Sequence, residues 1–313
     1  MPFMNCDEIA KLIKSQAASL GFDACGFAAA APVDEEAVRR YDRWIDQGHN
    51  GCMAWAAGHR DLRCDPSLLL DGAQTVISLA LNYYPARFQP EGTLRVAYYA
   101  YGRDYHEVLR EKLTELARFI EQLTHCTTRP CVDSAPIRER YWAQRAGVGF
   151  IGRNNCLIIP GKGSFFFLGE IVTTALLPPD ESCRMTCGSC GKCVEACPTG
   201  AMQADGTVDA SRCLSCLLIE DHSEDLPDWV ADVIGNRVVG CDECQLCCPH
   251  NAAPVPTSIQ DFSPTDIVMT LTRERIESMT AGDFRRTFAH SAISRLRYKT
   301  LRRNARLADP EKQ

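Results

Sequence analysis

Nothing in this chain constrains its fold as tightly as the run Cys187-x2-Cys190-x2-Cys193-x3-Cys197-Pro198. Three thiolates at that spacing on one tight loop converge on three irons of a single cube, and the fourth, before proline, points to a second cube. Gly188 and Gly191 let the loop turn and bring backbone N–H groups near the sulfides. A second ligand set must then exist, and Cys241-x2-Cys244-x3-Cys248-Pro249 supplies three members. The missing one lies upstream, with Cys213 the best candidate and Cys216 the alternative. The spacing predicts one [4Fe–4S] cluster on Cys187, Cys190, Cys193 and Cys248 and another on Cys197, Cys213, Cys241 and Cys244. Paired structural zinc sites are the competing reading of CxxC repeats, but the third cysteine and the Cys-Pro ending are cluster features. Cys183, Cys216 and Cys247 are ambiguous extras. Cys6, Cys25, Cys52, Cys64, Cys126, Cys131 and Cys156 lack such spacing and read as buried apolar fillers.

Eighteen cysteines in a small secreted chain would suggest disulfides. Here the chain has 313 residues, and MPFMNCDEIAKLIKSQ shows neither an apolar leader core nor a cleavage pattern. No stretch approaches the roughly 18 apolar residues of a membrane span. The expectation is a monomeric cytoplasmic protein whose thiolates sit on metal. A net charge of −6 gives no global attraction to nucleic acid. The tail differs: Arg285, Arg286, Arg295, Arg297, Lys299, Arg302, Arg303 and Arg306 occur with no acid between 285 and 306. That pattern suits either RNA phosphates or a solvated helix face.

Residues 7–20, 34–47, 104–123 and 136–146 carry helical patterns, the third with Leu109, Leu113, Leu116, Ile120 and Leu123 on one stripe. Gln74–Asn82, apolar on both parities, suits a strand buried on both faces. Thr128–Val132, Cys156–Ile159 and Ser164–Leu177 also read as strands. The predicted fold is thus α+β or α/β over 1–180, then a ferredoxin-like segment over 181–258 organised around metal, then a helical basic segment over 259–313. No GxGxxG sits on a strand–helix junction and no P-loop is present. A flavin, a corrin or bare electron transfer remain.

Several blocks carry a resemblance: NYY (82–84), YGRDYH (101–106), VDSAPIRERYWAQRAGVGFIGRNN (132–155), GSFFFLGEIVTT (163–174), CGSCGKCVEACPTGA (187–201), CLSCLLIE (213–220), GCDECQLCCPHN (240–251) and FRRTFAHSAISRLRYKTLRRNA (284–305). In this order they resemble the epoxyqueuosine reductases. The resemblance implies a cobalamin-binding, nitroreductase-like N-terminal domain related to that of reductive dehalogenases. It implies reduction of epoxyqueuosine to queuosine at the tRNA wobble position, with cobalamin and two [4Fe–4S] clusters, fed by a donor such as flavodoxin or ferredoxin. Departures are Cys216 where the family usually has an aromatic, Cys247 where it has a small apolar residue, and His250 where it often has Trp. Many members also carry a C-terminal helical-repeat domain, which is not expected here, the sequence ending at Gln313.

By the resemblance, Asp133 is the proton donor, which requires a carboxyl raised by burial above the usual value of about 3.9. From the residues alone, a cap for the helix starting near Pro136 is the favoured reading of Asp133, and the resemblance reverses it. Tyr98 and Ser215 are candidate cofactor contacts, with core packing the alternative for Tyr98, Tyr101 and Tyr105. His106 is expected to be a partly exposed first-turn histidine and not a cobalt ligand. Arg138, Arg140 and Arg145 read as a solvated helix face, and Arg295, Arg297, Lys299, Arg302 and Arg303 as the tRNA-binding set. The alternatives are a dehalogenase-like cobalamin reductase of a small molecule and a non-catalytic electron-transfer protein.

Overall fold

The structure, a computed structural model, describes residues 5–309 and residue 311; the leading MPFM of the N-terminal stretch MPFMNCDEIAKLIKSQ lies outside them. Thr75–Asn82 is a strand with all eight residues buried. It lies inside a four-stranded sheet ordered Ala24–Ala29, Thr75–Asn82, Phe166–Thr173, Thr128–Cys131. Every pairing in this sheet is antiparallel. Helices Cys6–Ser19 and Tyr105–Thr124 cover one face, burying Ile13, Leu109, Leu113, Leu116 and Ile120 against Ile77, Leu79, Leu81 and Ile171. Helix Glu139–Arg145 covers the other, with Trp142 and Ala143 on Val76, Ala80 and Val172. Two covered faces explain why this strand is apolar on both parities.

Sequence reading missed Ala24–Ala29 (ACGFAA), which has no β-branched residue. Gly26 is needed there because a Cβ would come 2.0 Å from the Ala146 carbonyl oxygen, where the helix Glu139–Arg145 ends on the strand. That helix begins three residues later than expected, leaving 136–138 as a turn beneath Asp133.

Short helices Lys192–Glu195, Leu214–Ile219 and Glu243–Leu246 follow the cysteine loops. The cysteine-rich segment is not organised by metal alone. Leu214, Leu217, Leu218, Val238 and Val239 share one core with Phe284, Phe288, Ile293, Leu296 and Leu301 of the C-terminal helices. Asn304 clamps this junction, donating from Nδ2 to the Leu218 and Val238 carbonyls at 2.8 and 2.9 Å. Residues 181–258 and 259–313 therefore interlock through a common apolar interior.

Candidate functional site

Asp133 follows the strand Thr128–Cys131 and takes a left-handed φ of +31°. Tyr105 Oη donates to its Oδ2 at 2.8 Å, and His106 Nε2 lies 2.5 Å from the same oxygen. The Asp133 amide donates to Glu139 Oε1 at 2.8 Å. Asp133 caps no helix, because helix Glu139–Arg145 has Arg138 as its uncapped flanking residue.

His106 is 3% exposed, not the partly open histidine expected. Two carboxylates draw it inward: its Nδ1 lies 2.7 Å from Asp104 Oδ1, on the residue that caps the long helix. Tyr105 closes over it, with ring centroids 4.0 Å apart, and stacks on Phe167 at 4.3 Å and 6°. With both ring nitrogens engaged, His106 has no lone pair free for a metal. Asp104 Oδ2 in turn receives Arg295 Nε at 3.1 Å. The line Arg295–Asp104–His106–Asp133 joins the basic tail to the candidate acid.

Charge in this line corrects the expectation of a raised carboxyl. Burial raises the Asp133 pKa, but hydrogen bonds from His106 and Tyr105, with the charges of His106 and Arg295, outweigh it and hold it below 3.8. Burial opposes the charge on His106, yet its bonds to Asp104 and Asp133 hold its pKa above 6.5. Both shifts favour the imidazole as the holder of the shared proton. The Asp133 side chain remains 44% exposed while that of His106 is 4% exposed, so the acid faces an open side.

Cys187, Cys190, Cys193 and Cys248 line one cavity, with Arg153, Asn154, Ile158, Pro249 and His250 completing its wall. That set is the donor inventory of a [4Fe–4S] cube. The other four also assemble. Cys213 is the N-cap of helix Leu214–Ile219, so the amides of Ser215 and Cys216 face its sulfur, and Cys197 stands beside it. Cys244 neighbours Cys241 and Cys213. Ala201 donates its amide to Cys197 Sγ at 3.4 Å. Cys216 points elsewhere, its Sγ 3.7 Å from that of Cys52, which favours Cys213 as the ligand. Cys156, read as a filler, sits against Cys244. Among the described residues, no group of three or more Cys, His, Asp or Glu side chains is arranged to hold a single metal ion.

Tyr98 donates its amide to Asp242 Oδ2 at 2.8 Å, tying its turn to the cysteine loop at 241–244. Its ring packs among Tyr84, Phe88, Tyr101 and Phe165. Ser215 contributes its amide beside Cys213.

In the tail, Arg285, Arg286, Arg295, Arg297, Lys299 and Arg306 are exposed. Arg303 is not, which corrects its assignment to the tRNA-binding set. It is 7% exposed, donates to the Leu217 and Ser223 carbonyls at 3.1 and 2.9 Å, and pairs with Asp221. Adjacent helix positions face about 100° apart, so Arg302 and Arg303 cannot share one outer face. Arg302 is half-buried over the Tyr298 ring. Arg138 likewise leaves the expected solvated face, lying half-buried over Tyr41 and Tyr141.

Residues 63–134 match the family model "Epoxyqueuosine reductase QueG, DUF1730", and residues 186–251 match "4Fe-4S double cluster binding domain". The chain is 38% identical over 307 residues to an epoxyqueuosine reductase of Synechococcus sp. (strain CC9605), covering 97% of this chain and 95% of that protein. This chain belongs to the epoxyqueuosine reductase family. The Gloeobacter violaceus enzyme is 41% identical over 302 residues, covering 95% and 94% of the two chains. An epoxyqueuosine reductase crystal structure superposes with a TM-score of 0.89 at 31% identity, over 97% of this chain and 81% of that one. A family structure holding an epoxyqueuosine-modified tRNA stem loop gives 0.87 at 31% identity over the same shares. A Bacillus subtilis family structure whose catalytic aspartate loop is swung out of the active site gives 0.88, also at 31% and over the same shares. Family membership makes the chain an oxidoreductase with a double-cluster domain. Among the described residues, no helix is long and apolar enough to cross a membrane.

Proposed function

We propose that this protein reduces epoxyqueuosine to queuosine at the wobble position of tRNA, with Asp133 as the acid, two [4Fe–4S] clusters and cobalamin. The observation that carries the reading is Asp133 itself: an open-facing carboxyl held by Tyr105 and His106 and wired to the basic tail through Asp104 and Arg295. Cys187, Cys190, Cys193 and Cys248 would hold one cluster, and Cys197, Cys213, Cys241 and Cys244 the other. With both ring nitrogens engaged, His106 would not ligate the cobalt of a bound corrin. Tyr98, tied by Asp242 to the second cysteine set, is our candidate corrin contact.

Removing an epoxide oxygen to leave an alkene takes two electrons and two protons and releases water. When bound, the clusters and cobalamin supply the electrons at a strongly reducing potential. The chain's own share is position and proton. Tyr105 and His106 fix the Asp133 carboxyl, and the proton resting on His106 passes through Oδ2 to the departing oxygen. The neutral His106 is then reprotonated from water through Asp133, and this second proton completes the water that is released. The exposed Arg295, Arg297 and Lys299 would set affinity by phosphate contacts, and specificity would come from the modified base, which is unpaired and accessible in an anticodon loop.

A flavodoxin or ferredoxin donor, a monomeric state and a cytoplasmic location complete the proposal. Anaerobic incubation of the reconstituted protein with cobalamin, a reductant and epoxyqueuosine-containing tRNA, followed by nucleoside analysis, tests it. Queuosine should appear only when all are present. Turnover of a halogenated phenol with no conversion of the tRNA would reverse the assignment toward small-molecule chemistry.

A further inference from the structure

Asp133 takes a left-handed backbone conformation, which aspartate tolerates better than most residues but which still draws on support from its surroundings. A φ of +31° lies in the left-handed region, where a non-glycine residue persists only if its surroundings hold it. The contact that holds its backbone is the 2.8 Å bond from its amide to Glu139 Oε1, six residues on. Glu139 opens the helix packed on the sheet, and below it lies Glu170 in the centre of the strand Phe166–Thr173. Glu170 is fully buried. Ser78 Oγ donates to its Oε1 at 3.2 Å, while its Oε2 has no partner. Neither Glu139 nor Glu170 touches substrate in the proposed mechanism.

We infer that Glu139 is a positioning residue: by accepting the Asp133 amide it holds the acid-bearing turn against Tyr105 and His106. The inference rests on the reading of Asp133 as the acid. Two carboxyls in one dry site do not both ionise. The deeper one keeps the proton, which leaves the shallower one an electron-rich acceptor for a backbone amide. Burial and the neighbouring Glu139 charge push the Glu170 carboxyl well above its ordinary range, and burial with the Asp133 charge lifts Glu139 to about 7. The groups facing Glu139 are Asp133, His106 and Arg140 on one side and Glu170 on the other. Their mutual arrangement predicts that the turn loosens when Glu139 can no longer accept.

The test uses the cluster-loaded, cobalamin-bound protein. In Glu139→Ala, kcat should fall by about 10²-fold, the cost of displacing a reacting group by roughly 1 Å. KM for the tRNA and iron content should stay unchanged, and the Asp133 amide should exchange with solvent faster. Glu139→Gln keeps an acceptor oxygen and should restore most of kcat and the protection. Glu139→Asp keeps the charge but falls one methylene short, and should behave like the alanine variant even if that one folds poorly. Wild-type kcat in both short variants, or a glutamine variant as impaired as alanine, would overturn the inference. Asp133→Ala run in parallel separates the two readings: if it turns over normally the acid assignment falls, while exchange at the 133 amide still decides whether Glu139 holds the turn.

Discussion

His106 Nε2 and Asp133 Oδ2 stand 2.5 Å apart, close enough to share one proton, and the surrounding charges place that proton on the histidine. The acid proposed for this site is therefore a pair. It can donate only while the imidazole is charged, and Asp104 on the far side of the ring keeps it so.

Removing the carboxyl should stop the chemistry and spare the scaffold. Asp133→Ala and Asp133→Asn are expected to lower kcat by about 10²–10⁴-fold, the usual worth of a positioned acid. Iron content and cobalamin binding should match the parent. Nucleoside analysis of single-turnover reactions measures the loss, and an asparagine variant that works at the parent rate would remove Asp133 from proton transfer.

Turnover should fall on the alkaline side as the pair loses its proton. The folded pKa of His106 is held above the ordinary 6.5 by its bonds to Asp104 and Asp133 against the opposing effect of burial, so the charged form predominates at and below that pH and is lost as pH rises through the elevated value. Asp104→Asn keeps an acceptor oxygen for His106 but removes the negative charge beside the ring, and should move the alkaline limb of kcat to lower pH. An unmoved limb would show that another group controls it.

Iron counting distinguishes the two cysteines of CLSC. Cys213→Ala should drop the anaerobic content from about eight to about four irons per chain. Cys216→Ala should retain all eight, because that sulfur faces Cys52. The reverse pattern would exchange their roles.

Basic-tail variants should separate into binding and stability effects. Arg297→Ala and Lys299→Ala should weaken tRNA binding and each lower the salt slope by about one. Arg303→Ala should instead reduce Tm, because it leaves the Leu217 and Ser223 carbonyls and Asp221 without their buried partner.

Glu170 should make stability depend on pH in the opposite sense to a paired carboxylate. Its folded pKa is raised, so the folded state binds more protons than the unfolded one once pH exceeds 4.5. Stability then declines with pH by up to about 1.4 kcal/mol per unit until the folded pKa is reached. Glu170→Gln should flatten that decline in denaturant titrations between pH 5 and 8.

The sequence made the metal-binding part legible because cysteine spacing is local chemistry: Cys187, Cys190, Cys193 and Cys248 meet as their spacing implies, with the last arriving from a second loop. The long helix was legible from its leucine stripe and the central strand from its unbroken apolar run. The support of the acid was not. Tyr105 and His106 reach Asp133 across 28 and 27 residues and read locally as core packing and an exposed first turn. Glu170 gave no signal because one acid inside FFLGEIV resembles an edge position until its strand is seen to be interior. Arg303 misled for the converse reason, since a basic run says nothing of which side chains turn inward.

The clamp made by Asn304, with Arg303 beside it, has a bearing on assembly. Helix Leu214–Ile219, which starts at Cys213, the proposed cluster ligand, hands its carbonyls to the same helix that ends the basic tail. A chain starved of iron would thus lose more than its wiring. With the cysteine loops slack, the docking platform for nucleic acid would lose its footing, and metal loading would come before any grip on RNA.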